Sequence, residues 1–291
     1  MLCLFLWRLL MDIIPSKEEL QKTYAAIKGI ELPTVPDIVQ KANAELTKPD
    51  PNIGELAELI SKDPVLSGQI LKVINSPFYG LSKKIESVQK AVVLLGQKNL
   101  KNVLMTAGLR QTMQDNDDSR KTFWDRAAAT AACASGIATL VHNVEQDEAY
   151  MTGLFLDTGV LVLLEKSPAY KRVSDNQPIY PFSTVVFEEN KFDTNHPSVG
   201  YLLALSWKIP DTCALAILHH HAENYDLFED SKLRALIAIM QLSYALVAEE
   251  LSETEISIEE HIRYKSNAIN ELLLDESDLH DIVVSAVRES T

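Results

Sequence analysis

Apolar residues recur every three or four positions along most of this chain, and no segment keeps the strict alternation of a half-buried strand. The spacing predicts a succession of helices with readable ends. Asn52-Ile53-Gly54-Glu55 has the form of a capping box opening a helix with Leu56, Leu59 and Ile60 on one face. Asp63-Pro64 reads as an N-cap followed by proline at the first helical position, and the helix behind it turns Leu66, Ile70, Leu71 and Ile74 inward. The turn-rich Asn75-Ser76-Pro77-Phe78-Tyr79-Gly80 stops it. Ser87 can cap a helix through Val88, Ala91, Val92 and Leu95 that Gly96 ends, and a further helix runs from about Leu100 to Leu109.

The polar run from Gln114 to Ser119 reads as a joint between two helical lobes. Beyond it the pattern predicts an Ala-rich helix from Phe123 to about His142, one helix from Asp147 to Leu164, and a loop from Ser174 to Pro181. A short helix follows over Val199 to Trp207, then one that starts at Pro210 and ends in His219-His220-His221. Leu233 to Val247 is apolar enough to be central. In the tail, Ile258, Ile262, Ile269 and Leu273 keep rough helical spacing, and Ser277 can cap a last helix carrying Leu279, Ile282, Val283, Ala286 and Val287. The expected architecture is all-α, a two-lobed helical bundle with the N-terminal lobe packed on the C-terminal one. Its expected divisions are an apolar extension over 1–15, a domain over 16–250 with lobes at 16–114 and 119–250, and acidic helices over 251–291.

Composition narrows the partners. The 291 residues are 46% apolar, ample for a sizeable core, and carry a formal charge of −14. From Glu249 onward twelve acidic residues face three basic ones. Phosphate contacts need a basic face, so this balance argues against nucleic acid and against anionic lipid as partners. Cys3, Cys133 and Cys213 are far apart and form no C-x-x-C pair, which fits reduced thiols in the cytoplasm. Met1 to Met11 is nearly all apolar, too short for the roughly 20 residues a membrane span needs. It reads as a helix end packed on the body or, preferably, as a start set upstream of a true Met11.

Little in the chain announces chemistry. It holds no Gly-rich phosphate loop, no G-x-S-x-G and no H-E-x-x-H. Histidine is the informative residue: four of the seven fall between His196 and His221. Imidazole suits divalent first-row metals, but neighbouring residues on a helix point about 100° apart, so three consecutive histidines cannot all face one ion. The plainer reading is a polar helix C-terminus, where the macrodipole favours histidine.

Several segments carry a resemblance. Leu32-Pro33-Thr34-Val35-Pro36, Asp63-Pro64-Val65-Leu66, Asn75-Ser76-Pro77-Phe78-Tyr79, the Ile85 to Gly96 stretch, Phe123-Trp124, Gly153 to Gly159, His196-Pro197-Ser198-Val199-Gly200 and Ile217 to His221 together resemble the HDOD family, the HD-related output domain of bacterial signalling proteins. That family is similar to the HD metal-dependent phosphohydrolases, whose metal ligands are an early His, a contiguous His-Asp and a late Asp. Carried over, the early His falls on Arg126, the pair reads Leu156-Asp157, and the late Asp falls on Ser243. The extra histidines of the related HD-GYP phosphodiesterases match His196, His220 and His221, without the loop that follows them there.

The resemblance thus implies a degenerate metal site and a non-catalytic, cytoplasmic bacterial signal-transduction module that acts through protein contacts, with no cofactor. An Arg126–Asp157 ion pair is expected to stand where the metal stood. The rival is a metal-dependent phosphohydrolase, a nucleotide or cyclic-dinucleotide phosphodiesterase, in which Asp157, His196, His220 and His221 hold a divalent transition metal and Arg126 binds phosphate. A third possibility is a sensor holding a small anion between the lobes near Arg126.

Overall fold

A computed structural model describes residues 13–75, 81, 83–113, 118–175, 177–252 and 256–290, and all regular structure among them is helical. The apolar Met1 to Met11 run, most of the Asn75 to Gly80 turn and most of the Gln114 to Ser119 joint lie outside the described residues. The chain divides into two compact units, a smaller one over Pro33–Asp125 and a larger one formed by the segments before and after it.

The smaller unit contains the four helices that follow the first helix of the chain. That first helix, α1 (Lys17–Ala26), belongs to the larger unit, and the smaller one holds α2 (Asp37–Leu46), α3 (Ile53–Ser61), α4 (Pro64–Ile74) and α5 (Val88–Thr112). Asn52 caps α3 by accepting from the N–H groups of Gly54 and Glu55, and Asp63 caps α4 from those of Val65 and Leu66 at 2.8 and 3.0 Å. Asn75 fastens the end of α4 to the chain before α5. Its amide donates to the Leu71 and Ile85 carbonyls, and its oxygen accepts the Ile85 N–H. Gly96, at φ 69°, breaks α5 into two helical segments, as its position in the sequence predicts. Leu56, Ile60, Leu66, Ile70, Leu100 and Leu104 are fully buried and form this core.

The larger unit begins with α1, capped by a reciprocal Ser16–Glu19 box. The sequence reading put this helix in the N-terminal lobe. Instead Thr23 meets Thr194 at 3.3 Å and Lys166 donates to the Ala26 carbonyl, which joins α1 to the larger unit. The helices that follow are α6 (Asp118–Ala138), α7 (Gln146–Phe155), α8 (Thr158–Lys166), α9 (Lys171–Ser174), α10 (Pro181–Phe192), α11 (His196–Ser206) and α12 (Asp211–His219). Then come α13 (Ser231–Ser252), α14 (Glu259–Leu272) and α15 (His280–Ser290). Gly153 shows why the Ala-rich stretch matters: a Cβ there would lie 2.8 Å from the Ala131 Cα, so α6 and α7 touch backbone to backbone.

The helix predicted over Asp147–Leu164 is two helices, broken at Leu156-Asp157, and the predicted Ser174–Pro181 loop leads into the unanticipated α10. α13 is central, with Leu236 to Ala245 almost entirely buried. It is long and apolar enough to cross a membrane, but 78% of its most apolar window is buried by neighbouring helices. The acidic tail folds onto it, burying Tyr264, Ala268, Leu279, Val283 and Ala286. The last helix is preceded by an Asp275 cap rather than the expected Ser277 one.

Candidate metal centre

The break between α7 and α8 builds the site. Asp157 stands at the N-cap of α8 but makes no capping bond, so its carboxylate is free to turn into the unit, where it is 6% exposed. Two residues on, Gly159 lies against the start of α11. A Cβ there would be 2.1 Å from the His196 carbonyl oxygen and 2.8 Å from the Gly200 nitrogen. Only a residue without a side chain permits that approach, which brings Asp157 beside His196. Asn195 starts α11 by accepting the Ser198 N–H, and this sets His196 on the first turn.

The three-histidine run behaves differently from a helical one. α12 ends at His219, His220 is its C-cap, and His221 sits in the turn beyond. The 100° rule of an intact helix therefore does not govern His220 and His221, and both rings face His196. His219 points elsewhere, to the Ile13 carbonyl at 2.7 Å. His196 Nε2 lies 3.3 Å from His220 Nε2 and 3.0 Å from His221 Nε2. Asp157 Oδ1 lies 3.6 Å from the Nε2 atoms of both His196 and His220. The three imidazoles thus converge, with their donor atoms all within 4.8 Å of one another, and Asp157 stands beside two of them.

Their other faces are tied down. Glu188, fully buried on α10, accepts the His196 N–H and its ring Nδ1–H, both at 2.7 Å, and also accepts the Tyr170 hydroxyl. His220 donates Nδ1–H to the Ile217 carbonyl at 2.6 Å. Its own carbonyl accepts from Gln241 and from Tyr264, and Gln241 also holds the Ala222 carbonyl, so the turn is fixed from α13 and α14.

Electrostatics follow from this packing. Burial opposes charge on His196, but the Glu188 and Asp157 carboxylates outweigh it and raise the pKa. Burial lowers the pKa of His220 and takes that of His221 well below its usual value. Burial also works against the Asp157 carboxylate, but His220, His196 and Arg126 outweigh it and hold its pKa below the usual range.

These residues fit a divalent first-row ion. Tetrahedral sites with bonds of about 2.0–2.1 Å have edges of about 3.3–3.4 Å, close to the 3.3 and 3.0 Å that separate His196 from the other two histidines. Imidazole and carboxylate suit such ions, and Nδ1–H groups bonded to a carboxylate or a backbone carbonyl are the usual support of metal-bound histidines. The buried His221 Nδ1 has no partner of its own.

Of the seven positions singled out in the sequence, His196, His220 and His221 come together, Asp157 stands beside the first two, and the other three do not join them. Leu156 is buried in the apolar core. Ser243 donates its hydroxyl to the Ile239 carbonyl of its own helix at 2.6 Å. Arg126 is half-buried with its guanidinium 5.8 Å from the Tyr244 ring centre. Among the described residues it makes no ion pair with Asp157, contrary to expectation, because Asp157 turns instead toward the histidines and accepts from Gln177 at 2.9 Å. The Arg126 charge still reaches Asp157 through space. Gln177 and Glu188 escaped the sequence reading. Neither sits in a motif, and α10, which carries Glu188, was itself not foreseen.

Comparison with known proteins agrees with this architecture. The HDOD domain family model matches residues 32–223. An HDOD domain protein of Geobacter sulfurreducens has the same helical fold, with a TM-score of 0.69 at 24% identity over 94% of this chain and 99% of that one. A candidate phosphohydrolase of Shewanella amazonensis SB2B aligns at 0.70 and 19% identity over 94% and 97%. A candidate signal transduction protein of Marinobacter aquaeolei VT8 aligns at 0.68 and 21% identity over 94% and 63%. Two curated relatives match at 26% and 40% identity over 193 and 76 residues, and the chain spans only 38% and 19% of their lengths.

Proposed function

The chain belongs to the HDOD domain family, and on that premise we propose that it is a non-catalytic signal-transduction module of the bacterial cytoplasm, acting through protein contacts around a closed metal cage. One observation carries this reading. The positions that would complete an HD hydrolase centre are Arg126, Leu156 and Ser243, and none offers a ligand, whereas His196, His220 and His221 converge on one another with Asp157 beside the first two. Three histidine donors with a carboxylate beside two of them would close an ion in with protein groups, the pattern of structural rather than catalytic sites, which keep one position open. A divalent ion held there would supply cohesion, tying the start of α8, the start of α11 and the His220–His221 turn together. The −14 charge supports a protein partner over a nucleic-acid one, and the description of the Marinobacter protein supports a signalling role.

Arg126 favours a second reading, a phosphohydrolase. It is a half-buried cation near the cage with no carboxylate within 4 Å of it among the described residues, and such a group can anchor a phosphate. Elemental analysis of the chelator-treated and reloaded full chain, beside His220→Ala, separates the possibilities. We expect near-stoichiometric transition metal in the wild type, its loss in the variant, and no hydrolysis of cyclic dinucleotides or nucleotide esters by the loaded protein. Turnover that disappears in Arg126→Ala would establish the hydrolase instead. A wild type that takes up no metal would remove the cage from the proposal.

A further inference from the structure

Gln177 occupies an unusual position in the turn before α10. It is fully buried, and its amide nitrogen donates to Asp157 Oδ1 at 2.9 Å while lying 3.0 Å from His196 Nε2. Those spacings match the ones between the histidine donors themselves, at 3.0 and 3.3 Å. The amide therefore stands where a further donor of the same cage would stand. Its other end is anomalous: Oε1 is buried and has no hydrogen-bond partner among the described residues. Buried carbonyl oxygens are nearly always partnered, and one left alone is costly.

The oxygen and nitrogen of an amide exchange places by a half-turn about its last bond, with no other atom moving. In the metal-free chain the NH2 group faces the cage, between His196 Nε2 and Asp157 Oδ1, because the carboxylate needs a hydrogen-bond donor. Once an ion engages those two atoms, the need is reversed. An NH2 against the ion is repelled, while the unpartnered oxygen, turned inward, becomes a donor of the hard type that accompanies carboxylate.

We propose that Gln177 is a fifth ligand of the cage, switching by an amide half-turn from hydrogen-bond donor in the metal-free chain to carbonyl donor in the loaded one. This rests on the reading that Asp157, His196, His220 and His221 hold an ion. It makes the site five-coordinate and wholly protein-lined, and it separates Gln177 from a plug that an entering ion would merely displace.

Cobalt(II) added to the full-length, metal-free protein tests this, because its visible absorption is weak in five-coordinate and intense in four-coordinate sites. Affinity is read in the same samples by competition with a chelator. The wild type is expected to bind one cobalt with a weak band. Gln177→Leu, matched in size but without donors, is expected to bind at least about tenfold more weakly and to shift to an intense, four-coordinate band. Gln177→Glu retains an oxygen donor and is expected to keep the weak band and bind at least as tightly as the wild type. Far-ultraviolet circular dichroism of the metal-free variants confirms that each is folded, and Gln177→Glu carries the test if Gln177→Leu is not. An unchanged spectrum and unchanged or tighter binding in Gln177→Leu, or an intense four-coordinate band in Gln177→Glu, would overturn the fifth ligand and leave the four-ligand cage standing. Absence of cobalt binding by the wild type would overturn both.

Discussion

Glu188 holds His196 twice, accepting its backbone N–H and its ring Nδ1–H, each at 2.7 Å, in a site where both side chains are fully buried. The carboxylate fixes which ring nitrogen is left to face the cage. Replacing it with leucine strands the His196 donors and the Tyr170 hydroxyl that Glu188 also accepts. Glu188→Leu is expected to lower the free energy of unfolding by about 3–5 kcal/mol in urea titration of the metal-free protein. Metal affinity, measured by chelator competition, is expected to fall about 10- to 100-fold.

Gly159 is the second determinant. The atoms that an added Cβ would meet are the backbone of His196 and Gly200, which cannot rotate aside. Gly159→Ala is expected to cost about 3 kcal/mol, the upper part of the overpacking range. A thermal melt checks this against Gly68→Ala on α4, where a Cβ would meet nothing within 4 Å. There the removal of glycine from a helix is expected to stabilise by about 0.5–1 kcal/mol.

The legibility of the chain in sequence divides along the same physical line. The caps at Asn52 and Asp63 and the break at Gly96 were readable because each depends on residues within a few positions. The break at Leu156-Asp157 was not, because both halves are apolar and helical. What separates them is the contact of Gly159 with α11, some forty residues away. Asp157, His196, His220 and His221 were nameable from residue type and resemblance. The convergence of His220 and His221 was not, since it turns on α12 ending at His219. Gln177 and Glu188 gave no local signal at all, because their roles are set by tertiary neighbours.

The tail contributes directly to the cage. Tyr264 on α14 donates to the His220 carbonyl at 2.7 Å, and that carbonyl also accepts from Gln241 at 3.0 Å. Tyr264→Phe leaves the carbonyl one partner and is expected to cost about 1 kcal/mol. Gln241→Leu removes donors from two carbonyls and deprives the Tyr225 hydroxyl of its acceptor, so its cost is expected to be larger, about 2–3 kcal/mol. Urea unfolding of the two variants gives the order.

A second tie to the tail is pH-dependent. Glu249 on α13 pairs with His261 at 3.1 Å and Lys265 at 2.9 Å on α14. Partial burial opposes its charge, but these two partners outweigh it and bring its pKa below the ordinary 4.5. The folded state therefore holds the proton less tightly than the unfolded one. The stabilisation is complete above about pH 4.5 and is lost as pH falls through the lower, folded value. Since the group is partly exposed, the difference between wild type and Glu249→Gln is expected to be about 1 kcal/mol at pH 7 and to shrink below pH 4.5. Unfolding titrations at a series of pH values measure it.

The depth of the cage also sets a clock. His196 and His220 are wholly buried, and the turn that carries the second is fastened from two helices. An ion held behind them would leave most readily when that turn lets go, so its residence time would be governed largely by a local opening of the protein. A module built this way would keep a memory of the metal available when it folded, long after supply had changed.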